Sequence, residues 1–315
     1  MKEAQSVHRC LVSGANGFIG RALTARLRQQ GVPVTGVVRR AVCADGFVGA
    51  DAIGPDMDWS DVLPGHDVVV HTAARAHVLN DRETDPLAGF RLVNTEGTLT
   101  LARQAAAAGV RRFVFISSIG VNGNTTTRPF SADDQPKPAE PYAQSKWEAE
   151  LGLMQLAAQT CMAVVIIRPP LVYGPGAPGN FGSLVRWVEK GIPLPLGAIR
   201  NKRSLVGLDN LVDLIIRCIG HHAAVNQVFL AGDGDDLSTT DLLKGVGSAM
   251  GKSARLIPVP VGLLQVGAAL FGKKAMAQRL LGSLQVDINR TCNLLGWTPP
   301  YTVEEGLRRC FERSD

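Results

Sequence analysis

The stretch EPYAQSKWEAE, Glu140 to Glu150, sets a tyrosine and a lysine four residues apart. On a helix that spacing is one turn, so Tyr142 and Lys146 share a face. The chemistry open to such a pair is proton transfer. A tyrosine with an ordinary pKa near ~10 is a poor base at neutral pH. A lysine ammonium one turn away and a positively charged ring above it would both favour the phenolate and lower that pKa. Taken alone, the spacing is also that of a surface helix. A proton-transfer site needs in addition a hydroxyl from another element to orient the substrate oxygen. The end of the apolar run in FVFISSIGVNG, with Ser117 and Ser118, can supply one.

A loop near the start of the chain offers a cofactor for that proton chemistry. In SGANGFIGRAL, Gly14, Gly17 and Gly20 form GxxGxxG between an apolar run and a helical pattern. Glycines there permit a tight turn, and the helix start presents free N–H groups and its positive dipole end to a pyrophosphate. At the end of the next apolar run an NAD site places an acid for the ribose 2′-hydroxyl, and an NADP site an arginine for the 2′-phosphate. Here Val38 stands where the acid is expected, followed by Arg39 and Arg40. A guanidinium fork suits a phosphate dianion. The expected cofactor is therefore NADP(H), with NAD(H) the alternative.

These residues need a frame. Near-continuous apolar runs recur at CLVS, VPVTGVV, DVVVHT, RFVFIS and AVVIIR, as in strands buried on both faces of a parallel sheet. Helical patterns separate several of them: Phe18 to Gln30, Pro86 to Ala108, and Pro141 to Gln159. Strand alternating with helix means a doubly wound α/β fold of Rossmann type. After about Val172 proline and glycine cluster and strands thin out. The expected organisation is a dinucleotide-binding part over residues 1–172. A smaller C-terminal α/β substrate-binding region then covers mainly 173–315, where the chain can cross back. The most apolar late segment, Val261 to Gly272, is too short for a membrane span and reads as a buried helix in preference to a membrane-surface one.

The chain has 315 residues, 45% of them hydrophobic, and a net charge of +5. That mild excess contains no basic run longer than two residues and fits a small anionic ligand better than a nucleic acid. Six scattered cysteines show neither a CxxC pair nor zinc spacing. They read as reduced thiols of a cytoplasmic protein with no metal site. The polar start MKEAQSVHR reads as one without a signal peptide.

Taken in order, the GxxGxxG loop, the SS strand end and YxxxK resemble the extended, nucleotide-sugar-modifying branch of the short-chain dehydrogenase/reductase superfamily. HTAA (His71 to Ala74) and NTEGT (Asn94 to Thr98) match two further landmarks of that branch. The resemblance implies a catalytic triad of Ser118, Tyr142 and Lys146, with Ser117 a cofactor-side neighbour. It implies cofactor contacts from Gly14, Asn16, Gly17, Phe18, Ile19, Gly20, Arg39, Arg40, Ile53, Thr72, Ala73, Ala74 and Asn94, and from Pro169 and Pro170 in IRPPLVYGPG. For a UDP-sugar substrate it implies Arg75, Asn180, the backbone around Leu194, Arg203 and Arg290. Homodimers through the Pro86 and Pro141 helices are usual for the family.

Departures from the family patterns bear on the reaction. Dehydratases of this branch carry an Asp-Glu pair after the catalytic threonine; Ile119 and Gly120 stand there. Epimerases usually show VYG where this chain has Val121-Asn122-Gly123, and an asparagine where it has Leu171. Together with the arginines after Val38, these features resemble a bacterial O-antigen group. Its members reduce a UDP-4-keto-6-deoxy-N-acetylhexosamine at carbon 4 with NADPH. The expectation is thus a 4-ketoreductase of surface polysaccharide synthesis. The alternative is a UDP-sugar 4-epimerase with tightly held NAD.

Overall fold

Strands that are apolar at almost every position cannot face water on either side, and β1 and β4 at the centre are fully buried. The computed structural model describes residues 8–39, 46–50, 52–76 and 85–312. The five apolar runs form β1 (Cys10–Ser13), β2 (Val34–Arg39), β4 (Val68–His71), β5 (Arg112–Ile116) and β6 (Ala163–Arg168). With β3 (Phe47–Ala50) and β9 (Gln227–Leu230) they make one seven-stranded sheet, ordered β3-β2-β1-β4-β5-β6-β9. Every pairing in it is parallel.

Alternate residues point to opposite faces, and two cores result. Cys10 and Val12 pack with Leu23 and Leu27 of α1 (Phe18–Gln29) and with Leu211 and Ile215 of α6 (Leu208–Gly220). Leu11, Val69 and Phe113 pack on the other side, against Leu101 and Ala105 of α3 (Thr98–Ala107) and Leu153 of α4 (Pro141–Gln159). The order reverses between β1 and β4, and the glycine loop sits at the carboxyl end of β1 beside that switch point. In such sheets this is where ligands bind.

Pro86 to Ala108 is not one continuous α-helix. It runs as α2 (Pro86–Phe90), a π-helix (Arg91–Gly97) and α3. Apolar periodicity does not announce the wider π turn, which recurs at functional sites.

Beyond residue 172 the chain is richer in strand than its composition suggests. A second sheet, β10-β8-β7, joins β7 (Leu171–Tyr173), β8 (Arg203–Gly207) and β10 (Asp236–Leu237). With α5 (Gly179–Glu189), α7 (Thr239–Ala249) and α11 (Val303–Arg309) it encloses a third core, around Tyr173, Phe181, Leu205 and Leu243. The chain does cross back: α6 and β9 belong to the seven-stranded layer. The segment expected to be a buried helix becomes α8 (Val261–Leu270), in which no residue is buried. It is followed by α9 (Lys274–Leu281) and α10 (Asn289–Leu295).

The glycine loop is set by close approach. Gly14 has φ +71°, and a Cβ there would stand 2.8 Å from the Ala73 backbone. A Cβ on Gly20 would land on the Gly14 carbonyl and 2.7 Å from the Thr72 hydroxyl. Gly20→Ala should therefore push α1 away from β1 and β4. We expect a loss of about 1–3 kcal/mol in a urea unfolding curve, together with weakened dinucleotide binding. Unchanged stability and binding would refute this account of the loop.

Candidate active site

The first turn of α4 carries Tyr142 and Lys146, and its position is fixed from three sides. Proline at the first helical position starts it. Asn94, in the π-helix, donates from Nδ2 to Ser145 Oγ at 3.1 Å, and Ser145 donates to the Tyr142 carbonyl at 2.8 Å. Thr95 donates to the Ser145 carbonyl at 2.9 Å. The Phe90 ring meets the Tyr142 ring edge-on, with centroids 6.0 Å apart. The Arg75 guanidinium lies 5.6 Å from the centre of the same phenylalanine ring.

Ser118 approaches from β5. It caps a short 3-10 turn, Ile119–Val121, its hydroxyl accepting the Gly120 N–H at 3.1 Å. The Ile119 N–H donates to the Pro169 carbonyl at 3.0 Å, tying this turn to the end of β6. A Cβ on Gly120 would lie 3.2 Å from the Ala143 Cβ and 3.3 Å from Ser118 Oγ. Ser118 therefore stands beside the first turn of α4, and a side chain at position 120 would crowd both it and Ala143.

Lys146 is buried. Its Nζ donates to the Ile116 carbonyl at 2.9 Å and lies 4.4 Å from the centre of the Phe115 ring. Burial lowers its pKa to about 7, against the opposing pull of Glu150. Tyr142 differs from expectation: burial pushes its pKa up to about 12. The lysine does not offset this, because its ammonium is turned toward Ile116 and Phe115. In the protein alone the phenol is an acid, not a base.

Beneath these residues lies a cluster that spacing did not reveal. Arg168, at the end of β6, binds Glu150 through Nε and Nη2, the latter at 2.5 Å, and both side chains are buried. Ser117 donates to Glu150 at 2.5 Å, so its side chain faces inward, away from a ligand. Asn122 accepts from Arg168 at 2.9 Å and donates to the Ser131 carbonyl. The asparagine that looked like a departure in specificity is thus a partner of a buried arginine. Glu150 sits one turn beyond Lys146, which is the signal that could have found it.

A second buried chain of hydrogen bonds runs under the glycine loop. Thr98 donates to the Asn94 carbonyl, so it accepts from His71 Nε2 at 2.9 Å. His71 Nδ1 then accepts from Ser13 at 2.6 Å. Burial, and then the charge of Lys146, lower the His71 pKa to about 3, so the ring is neutral. Asn94 also holds both backbone groups of Arg75.

The expected cofactor residues line one edge of the sheet. Gly17 opens α1 with no side-chain cap, leaving the first-turn N–H groups of Phe18, Ile19 and Gly20 for an anion. Asn16 and Ala74 are exposed, while Ala73 packs on Gly14 and Thr72 donates to the Ser13 carbonyl. Ile53 abuts Gly97 of the π-helix. Pro169 and Pro170 are buried. Val38 is buried and Arg39 exposed at the end of β2; Arg40 lies outside the described residues. The glycine cradle and uncapped helix fit a dinucleotide diphosphate.

The expected substrate residues divide. Arg203 is largely enclosed and pairs with no carboxylate among the described residues; Nη1 donates to the Gly282 carbonyl at 3.1 Å. Burial and then the nearby Arg279 lower its pKa. Arg279 itself pairs at 2.7 Å with Glu140, two residues before Tyr142. Asn180 is exposed on the first turn of α5. Two residues are engaged elsewhere. Arg290 is bound at 2.7 Å to both oxygens of Asp133 and to Gln227. Both backbone groups of Leu194 are taken by Arg255 and Ile257, leaving neither for a base. Arg279, not Arg290, is the cation brought beside Arg203, and linear spacing gave no sign of it.

A parallel sheet in this order, with a glycine loop at its switch point and a tyrosine–lysine turn alongside, defines a dinucleotide-binding α/β protein. The model of the NAD dependent epimerase/dehydratase family matches residues 10–232; the chain belongs to that family. It is similar to a UDP-glucose 4-epimerase of Vibrio cholerae, 48% identical over 95% of this chain and 93% of the relative. Among solved structures it resembles UDP-N-acetylglucosamine 4-epimerase from Bacillus cereus, at TM-score 0.78 and 18% identity, covering 96% of this chain and 98% of that one. It also resembles MoeE5 in complex with UDP-glucuronic acid and NAD, at TM-score 0.77 and 25% identity, covering 95% and 96%.

Two measurements check this electrostatics. Glu150→Gln keeps the shape but leaves Arg168 buried without a counter-charge. We expect a loss of about 3–5 kcal/mol on chemical unfolding; a loss below about 1 kcal/mol would contradict the ionic knot. For Lys146, the unfolded chain holds a proton between about pH 7 and the ordinary lysine range that the folded chain does not. The stability contributed by this residue therefore rises with pH across that window. The stability of the native chain relative to Lys146→Met should increase from neutral to alkaline pH. A flat difference would mean an ordinary lysine.

Proposed function

We propose that this chain is an NAD-dependent 4-epimerase of a UDP-hexose. The observation that carries this reading is the near full-length, 48% identity to the Vibrio cholerae UDP-glucose 4-epimerase. It favours the epimerase over the ketoreductase suggested by the sequence. The two departures that had pointed away lose force. Asn122 is accounted for by Arg168, and Leu171 is a half-buried residue packed on the third core.

In this reading Tyr142 exchanges the proton of the sugar 4-hydroxyl and Ser118 holds the same oxygen. A nicotinamide bound here, its dinucleotide held by the glycine loop and the start of α1, would supply the hydride acceptor and donor for carbon 4 and a positive charge in the site. That charge would bring down the pKa of Tyr142, since burial alone raises it. Lys146, which donates to the Ile116 carbonyl in the protein alone, holds a ribose hydroxyl of the bound cofactor in this reading. Arg203 is the cation suited to the substrate diphosphate, since a largely enclosed guanidinium without a carboxylate partner among the described residues calls for an anion; Arg279, held by Glu140, lies beside it. A homodimer through α2, the π-helix, α3 and α4 fits the exposed Leu92 and Leu151 on them.

The second reading is an NADPH-dependent 4-ketoreductase of a UDP-4-keto sugar. It is favoured by Arg39 at the end of β2 with no acid before it. One assay separates the two. The purified chain should interconvert UDP-glucose and UDP-galactose without net consumption of nicotinamide. Tyr142→Phe should lower kcat about 10²–10⁴-fold while dinucleotide binding persists. Stoichiometric NADPH consumption with a 4-keto UDP-sugar, and no interconversion, would replace the epimerase by the reductase. A fully active Tyr142→Phe would overturn both.

A further inference from the structure

Six of the eleven exposed large hydrophobic residues among those described fall between residues 257 and 276. They centre on α8. Val261 and Leu264 pack inward on the third core. Leu263, Val266 and Leu270, at helical spacings of three and four, stand outward. At the turn into α9, Leu270 and Phe271 are each 80% exposed. Next to them come Lys273 and Lys274, also exposed. A contiguous outward apolar face on a helix marks an interaction surface.

The charge along this segment of the chain is one-sided. Between Asp241 and Asp287 the chain contains no acidic residue and six basic ones: Lys244, Lys252, Arg255, Lys273, Lys274 and Arg279. The whole chain is much nearer balance, with 33 basic and 28 acidic residues. An apolar helix tip beside lysines, within an acid-free stretch, is complementary to an apolar phase under an anionic surface. A second copy of the same face would bring like charges together.

We propose that the α8–α9 hairpin docks on an anionic lipid surface, with Leu270 and Phe271 inserted and Lys273 and Lys274 on the headgroups. No helix among the described residues is long and apolar enough to span a bilayer, so the attachment is peripheral. The hairpin also abuts the candidate site. Arg279 of α9 pairs with Glu140 just before Tyr142, and the Gly282 carbonyl after α9 accepts from Arg203. Docking would hold the mouth of that site near the membrane.

The test is co-sedimentation of the full chain with vesicles of phosphatidylglycerol and phosphatidylethanolamine, and with phosphatidylcholine vesicles. Binding should be selective for the anionic vesicles and weaken as salt rises. Lys273→Glu with Lys274→Glu should weaken it at least about tenfold, and Leu270→Ser with Phe271→Ser by a similar factor. Both variants should keep native unfolding curves and native turnover of a soluble UDP-sugar. No binding above the phosphatidylcholine level, or full binding by both variants, would overturn the proposal. So would a sedimentation-velocity result in which the serine variant turns an oligomer into a smaller species. The face would then be a contact between copies of this chain.

Discussion

The buried pair Glu150–Arg168 is the constraint on which the site's geometry rests. Two charges are withdrawn from water there, and their attraction repays desolvation only if the remaining polar atoms are also satisfied. Ser117 and Asn122 do this, and each comes from a different point along the turn after β5. The carboxylate is on α4 and the guanidinium at the end of β6. Forming the pair therefore sets the mutual position of three elements, and Ser118, Lys146 and Pro169 ride on them. A hydrophobic substitute could fill the same volume. It would not tie the turn bearing Ser118 to the helix bearing Tyr142 by directional bonds.

The His71 chain does the same on the cofactor side. Its ring, kept neutral by burial, connects Ser13 at the end of β1 to Thr98 and through it to Asn94. Asn94 in turn connects to Ser145 on α4. The glycine loop and the tyrosine helix are thus joined through side chains spaced along the π segment and the turn after it. The π turn carries Asn94, whose side chain reaches Ser145, while the Thr98 hydroxyl donates to the Asn94 carbonyl by the ordinary i−4 contact of a helical threonine.

Much of this fold was legible because the central strands are buried on both sides and so uniformly apolar. Pro141 and Gln159 bound α4 as the pattern indicates. What escaped did so for physical reasons. The edge strands β3 (FVGA) and β9 (QVFL) are no shorter than β1 and β4, but a glycine in one and a glutamine in the other break the apolar run. The π turn has no apolar signature. Gly14, Gly17, Gly20, Ser118, Tyr142 and Lys146 could be read together because each lies in a local motif. Arg279 and Arg168 meet their partners Glu140 and Glu150 only through the fold, which no local spacing announces. Val261 to Gly272 misled because apolar composition reports affinity for an apolar phase, not whether the protein itself provides that phase.

The same limit bears on the choice between epimerase and reductase. Both need a tyrosine to move a proton, a serine to hold an oxygen and a nicotinamide to carry a hydride, so the site around Tyr142 is common to them. They diverge in whether the cofactor stays. An epimerase returns the hydride it took and gains from slow release; a reductase must exchange its cofactor each turnover. Release is governed by contacts along the whole dinucleotide, not by the ribose 2′ position alone. One exposed arginine at the end of β2 adjusts preference for a 2′-phosphate but contributes little to residence time. Similarity spread over the full length of the chain samples all of those contacts at once. It is therefore the weightier guide to which of the two reactions this protein performs.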